Sequence, residues 1–250
     1  MNMAASFTVE GLDASHVFAD TLDPETFDHF SRYDYHGWVP PQIRKDWIKA
    51  WTGSGEFLDI GCGAYPVSSD VEGCNLRGVG VDVAPEVVET YRQYLKDLYL
   101  FDIVNIDLEE IPSFRSRFNT VILSETLEHF RNPFEVLLKV KTFMRPGGRL
   151  LITYPNAFSV AQLLDYFIHW GKWHRFKTFN ASHVYLVKRR ALETLFKEAG
   201  FTVDHFDYRP SDIVEGFPKE HNWLWRKITK LAPTFLAHQF FYVLSKKDER

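Results

Sequence analysis

With 250 residues, 45% of them apolar, the chain can bury one sizeable core, and no break in composition marks a linker between two. A net charge of −4 and a pI near 6.2 remove the electrostatic case for wholesale nucleic-acid binding, and two cysteines, Cys62 and Cys74, exclude a disulfide framework. The first residues lack the basic start and apolar core of a secretory signal and no apolar run reaches membrane-spanning length, so the expectation is a soluble, cytoplasmic protein.

Residues 1–46 carry acidic and aromatic side chains without a sustained period, and Val39-Pro40-Pro41 interrupts any helix there, so this stretch reads as a cap. Ile43, Trp47 and Ile48 at helical spacing predict a helix from Gln42 to Trp51, ended by Gly53-Ser54-Gly55. Phe57-Leu58-Asp59-Ile60 reads as a buried strand that breaks into a turn at Gly61-Cys62-Gly63. Glycine permits positive φ and close approach of backbone to a ligand, so amides near Gly61 and Gly63 can face a bound molecule. The next strand, Gly78 to Asp82, ends on a carboxylate nineteen residues after Gly63, where a Rossmann-type βαβ unit places its ribose acceptor. Tyr65 and Pro66 stand where a dinucleotide fingerprint wants further glycines, which favours a nucleoside without a pyrophosphate.

Between Pro66 and Arg77 the poor helix formers Ser68, Ser69, Asp70, Gly73 and Asn75 predict a short or irregular helix. Pro85 opens a helix with Val87, Val88, Tyr91, Tyr94, Leu95 and Leu98 on one face, and Phe101 to Ile106 predicts a third strand ending at Asp107. Phe118 to Leu123 is a fourth strand, Asn132-Pro133 starts a helix to about Met144, and Arg149 to Tyr154 is a fifth strand. Residues 157–182 break the alternation with an apolar helix, Val160 to Trp170, and an aromatic-basic run to Lys177 that includes His174. This insertion could line an acceptor pocket, lie on a membrane surface or be a solvated loop. A helix from Lys188 to Ala199 with Ala191, Leu192, Leu195 and Phe196 as its stripe, a strand from Phe201 to Tyr208, a helix from His221 to Leu231 and a strand from Gln239 to Leu244 complete the pattern.

Leu58 to Gly63, Gly80-Val81-Asp82, Asn105 to Leu108, Ser124 to His129 and Pro146 to Ile152, in that order, resemble the motifs of the class I S-adenosylmethionine-dependent methyltransferases. The resemblance implies an α/β fold with a doubly wound, Rossmann-like sheet of seven strands whose last strand is antiparallel. It also implies one domain: a cap over 1–46, a cofactor-binding core over 47–156, an insertion over 157–182, and the C-terminal half of the sheet over 183–250. The implied donor is S-adenosyl-L-methionine and the product S-adenosyl-L-homocysteine. By the same resemblance Gly61 and Gly63 line the methionine part, Asp59 orients the turn or the cofactor's amino group, Asp82 accepts the ribose hydroxyls, and Asp107 accepts the adenine amino group while Leu108 packs on the ring. Cys62, Val83 and Ser124 complete the cofactor-contacting set, and Tyr33, Tyr35 and Trp38 are candidates to close over it.

Glu125-x-x-Glu128-His129 follows the fourth strand, at the carboxyl edge where open α/β sheets place ligands. The pattern resembles the metal-binding motif of small-RNA 2′-O-methyltransferases and of ubiquinone-pathway O-methyltransferases, and two carboxylates with an imidazole could hold a divalent ion that polarises a hydroxyl. The expectation is a site without a metal, in which His129 is the acid/base group, Glu125 and Glu128 orient it, and His183 either completes the site or is a structural histidine. The reaction implied is O-methylation of a small molecule or of a sugar in a glycan. The alternatives are a nicotinamide-dependent oxidoreductase, which Tyr65 and Pro66 disfavour, and a non-catalytic cofactor-binding partner subunit. The cap and the insertion match no motif that names an acceptor.

Overall fold

The computed structural model describes residues 16–22, 40–63, 66–85, 92–168, 183–210 and 222–247. Tyr33, Tyr35, Trp38, Tyr65, the helix face at 87–91 and the run 169–182 with His174 lie outside the described residues. The chain divides into two compact units, one of residues 1–124 with 135–151, the other of 125–134 with 152–250. Seven strands are described: β1 (Phe57–Ile60), β2 (Gly78–Asp82), β3 (Asp97–Leu100), β4 (Phe118–Ser124), β5 (Met144–Pro155), β6 (Phe201–Pro210) and β7 (Ala237–Lys246). Their order in the sheet is β3-β2-β1-β4-β5-β7-β6, with β1, β2, β3 and β4 parallel where they pair and β7 antiparallel to β6. This is the expected seven-stranded sheet.

In the first unit β1 and β2 are buried at every residue, as parallel strands covered on both faces must be. Helix α1 (Gln42–Thr52) starts directly after Pro40-Pro41 and turns Trp47 and Ile48 inward. Gly80 is where a side chain would not fit, since a Cβ there would stand 2.5 Å from Leu95 Cδ1 and 2.6 Å from Leu98 Cδ1. As expected, the stretch after Pro66 forms only a 3₁₀ turn, Val67–Asp70, and the short α2 (Cys74–Arg77).

The third strand corrects the sequence reading. It is Asp97–Leu100 and not Phe101 to Ile106, and Leu98, expected on a helix, is a buried strand residue paired with Gly80. Asp102 is the cause. Its Oδ1 accepts the Val104 N–H at 2.8 Å and its carbonyl accepts the Asn105 and Ile106 N–H groups, an Asp-led turn that competes with extended backbone. Phe101, Ile103 and Ile106 are buried all the same, so an apolar run that looks like a strand packs as a turn. Lys139, on α3 (Pro133–Phe143), holds this turn by donating to the carbonyls of Val104 and Ile106 at 2.6 and 2.8 Å. Beside it Phe114 packs edge-on against Tyr99, Phe101, Phe118 and Phe143.

The second unit contains α4 (Val160–Ile168), α5 (Arg189–Glu198), α6 (Asn222–Leu231), α7 (Pro233–Leu236) and the β6–β7 pair. On α5 Leu192, Leu195 and Phe196 are buried, while Ala191, read as part of that stripe, is exposed. Among the described residues no helix is long and apolar enough to cross a membrane.

Candidate functional site

The first unit builds the glycine turn from strand ends. Gly61 N–H donates to the Val81 carbonyl at 2.8 Å and Cys62 N–H to the same oxygen at 3.3 Å, so the turn stays tied to β2 as it leaves β1. Gly61 and Gly63 have φ of 66° and 61°, in the left-handed region that residues with a Cβ avoid. Asp82, buried at the end of β2, accepts the Gly63 N–H at 2.8 Å through Oδ2, and through Oδ1 it accepts the N–H groups of Val83 at 2.8 Å and Ala84 at 3.1 Å. One carboxylate therefore fixes both the glycine turn and the loop that follows its own strand.

Asp59 is 1% exposed, and its Oδ2 accepts the Ser68 hydroxyl at 2.7 Å. Its Oδ1 is buried with no hydrogen-bond partner among the described residues. Burial, with the neighbouring Asp82 charge adding to it, pushes this carboxyl from 3.8 up to about 7. Burial likewise holds the Cys62 thiol well above its ordinary value, so Cys62 is a neutral packing group within the turn. The raised Asp59 value sets a pH dependence. The contribution of its neutral form to stability is complete below 3.8 and is lost as pH rises through about 7. The shift opposes the ionised form by roughly 4 kcal/mol at most. Thermal melts of the donor-free protein should therefore show Asp59→Asn raising Tm more at pH 8 than at pH 5; an equal gain at both would contradict the buried neutral carboxyl.

Asp107 is not at a strand end. It lies seven residues past β3, is exposed, and its Oδ1 accepts the Glu109 N–H at 3.0 Å; Leu108 beside it is half-buried. The position directly after β3 belongs to Phe101 and the buried Asp102, a residue the sequence reading passed over because it sits inside an apolar run. Ser124 is 8% exposed and ends β4.

In the second unit Glu125 adopts φ 54°, unusual for a residue with a side chain. Its N–H donates to the Thr153 carbonyl at 3.1 Å and its Oε2 accepts from Gln239 Nε2, on β7, at 3.0 Å. A 3₁₀ turn, Leu127–His129, follows. The Glu128 side chain is fully buried, and His183 Nε2 lies 4.0 Å from its Oε1. The rings of His129 and His183 meet edge to face, with centroids 4.8 Å apart. One ligating atom from each of Glu128, His129 and His183 lies within 4.8 Å of the others. The structure thus brings together three of the four residues singled out on this side and directs Glu125 to Gln239. Two imidazole nitrogens and a carboxylate oxygen are ligand types that suit a divalent transition ion; ligands about 2.1 Å from a tetrahedral ion stand roughly 3.4 Å apart, so the trio would have to close by up to about 1.4 Å.

Residues 35–205 match the family model described as a methyltransferase domain. The ubiquinone biosynthesis O-methyltransferase of Aeromonas salmonicida is 30% identical over 127 residues, covering 49% of this chain and 53% of that protein. The tRNA U34 carboxymethyltransferase of Trichlorobacter lovleyi is 31% identical over 103 residues, covering 38% of this chain and 30% of that protein. The chain thus spans about a third to a half of the length of the curated relatives it matches. A solved S-adenosylmethionine-dependent methyltransferase from Archaeoglobus fulgidus shares the fold with a TM-score of 0.56 at 19% identity, covering 82% of this chain and 94% of that one. Phosphoethanolamine N-methyltransferase 2 of Haemonchus contortus, solved with S-adenosyl-L-methionine, gives 0.54 at 15% identity, covering 95% and 61%.

Proposed function

This chain belongs to the methyltransferase-domain family, and we propose that it is an S-adenosylmethionine-dependent methyltransferase that methylates a hydroxyl oxygen, of a small molecule or of a sugar in a glycan. The observation that carries this reading is the convergence of Glu128, His129 and His183. In the transfer the methyl carbon leaves the sulfonium sulfur as its bond to the acceptor oxygen forms, and the hydroxyl proton must go to a base. An imidazole titrates near neutral pH and can take that proton, while a buried carboxylate at Glu128 steadies the resulting cation. On the donor side the turn at Gly61 and Gly63 would take the methionine part and Asp82 the ribose, with Asp59, Cys62, Val83 and Ser124 around them. Asp107 and Leu108 would reach adenine only from their exposed turn.

The three-ligand geometry also favours a second reading, in which Glu128, His129 and His183 hold a divalent ion. Such an ion, when bound, lowers the pKa of an oxygen it contacts. The deciding experiment is an acceptor screen with radiolabelled methyl donor over phenols, sugars, lipid-linked glycans, amines and tRNA, with and without exhaustive chelation. Label on hydroxyl compounds is the expected result. Label confined to amines or to tRNA would overturn the proposal, and tRNA is included because one relative's name carries it. Turnover that survives chelation supports the imidazole base, and turnover abolished by chelation and restored by magnesium or manganese supports the ion.

A further inference from the structure

Tyr154 lies on β5 and is fully buried, in the run Leu150-Leu151-Ile152-Thr153-Tyr154, with the Glu128 and Glu125 carboxylates acting on its phenol. A hydroxyl buried away from water without partners is disfavoured, so a buried tyrosine usually hydrogen-bonds through its hydroxyl. Burial also pushes the Tyr154 phenol up, which keeps it protonated and able to donate. Both of its bonds go to one short segment. The hydroxyl donates to the Tyr185 carbonyl at 2.5 Å and accepts the Val187 N–H at 3.1 Å. The same segment is held a third time, by the Tyr185 N–H donating to the Glu128 carbonyl at 3.0 Å.

Residues 183–188 belong to no helix or strand, so no ladder fixes their backbone. His183 is two residues before Tyr185, and its imidazole stands 4.0 Å from Glu128 Oε1 and edge-on to His129. A histidine on an irregular segment keeps such a position only if the segment is anchored close by. Two of the three bonds described at Tyr185 and Val187 share one hydroxyl group. We propose that Tyr154 is a positioning residue, whose hydroxyl sets His183 against Glu128 and His129. What His183 then does for the acceptor rests on the function proposed above; where it stands does not.

The test uses protein labelled with ¹³C and ¹⁵N in histidine, its ring signals assigned with His129→Ala and His183→Ala. The unaltered chain should give a cross-peak between the two rings. Tyr154→Phe, which removes the hydroxyl and keeps the ring, should lose that cross-peak while S-adenosylmethionine affinity by calorimetry stays unchanged. A retained cross-peak would overturn the proposal. With a verified acceptor, Tyr154→Phe should lower kcat about 10- to 100-fold without changing KM for the donor. It should cost nothing further in a His183→Ala background, because groups acting through one another are not additive. Additive losses would reduce Tyr154 to a packing residue. Normal turnover by His183→Ala would sink the acceptor-side reading alone, since the cross-peak still decides the positioning. If Tyr154→Phe does not fold, hydrogen exchange on the unaltered chain decides: the Val187 amide, which donates to the Tyr154 hydroxyl, should exchange much more slowly than those of Val184 and Leu186. Equal rates would overturn the proposal.

Discussion

His129→Ala is expected to lower kcat by a factor of about 10² to 10⁴ while leaving S-adenosylmethionine affinity intact. The effect is large because the substitution removes one of the three groups that converge, and removes it from a 3₁₀ turn whose other polar member, Glu128, is already fully buried. With the His129 imidazole gone, the acceptor proton loses its proposed base as the methyl group arrives. Donor binding should be unchanged because the groups proposed to hold the donor, the glycine turn and Asp82, do not include His129. Single-turnover kinetics with a verified acceptor, alongside calorimetry with the donor, separates the two quantities. The carboxylates should divide unequally. Glu128→Ala removes a member of the trio, whereas Glu125→Ala removes a side chain held by Gln239, so Glu128→Ala should be the more damaging under either the base or the ion reading. Near-normal turnover by His129→Ala would remove the residue from the chemistry and return it to packing.

Legibility followed the range of the forces involved. β1, the glycine turn and β2 could be read because a strand buried on both faces is an apolar run and a left-handed turn needs glycine, both properties of adjacent residues. The third strand was misplaced because Asp97–Leu100 is too short for its alternation to stand out from the end of a preceding helix pattern. The better-looking run after it contains Asp102, whose side chain turns the backbone. Asp107 was expected at a strand end for the same reason. The Glu-x-x-Glu-His pattern pointed to the right turn, but it could not foretell that Glu125 departs from the group. That departure is set by a φ of 54° and by Gln239, 114 residues along the chain. Tyr154 was passed over because a tyrosine inside an apolar strand reads as core, and the groups its hydroxyl holds, at Tyr185 and Val187, are 31 and 33 residues away.

Asp82→Ala is expected to weaken S-adenosylmethionine binding by about 1.5–3 kcal/mol, which is roughly 10- to 150-fold in Kd. Two losses coincide in this variant. In the proposed site the ribose hydroxyls would lose a charged acceptor, and the Gly63, Val83 and Ala84 N–H groups lose the carboxylate that arranges them. The second loss should appear without any donor, as a lower Tm, because the turn then keeps its two left-handed glycines with one fewer restraint. Asp82→Asn separates the two contributions. Its single side-chain oxygen can still accept from one side of the loop, but its NH₂ faces an N–H donor on the other and it carries no charge for the ribose. It should therefore recover part of the Tm and little of the affinity. Calorimetry with S-adenosylmethionine and melts of the donor-free proteins measure the two effects independently. If a folded Asp82→Ala binds the donor as tightly as the unaltered chain, the carboxylate serves only to hold the turn, and the ribose must be recognised by other groups.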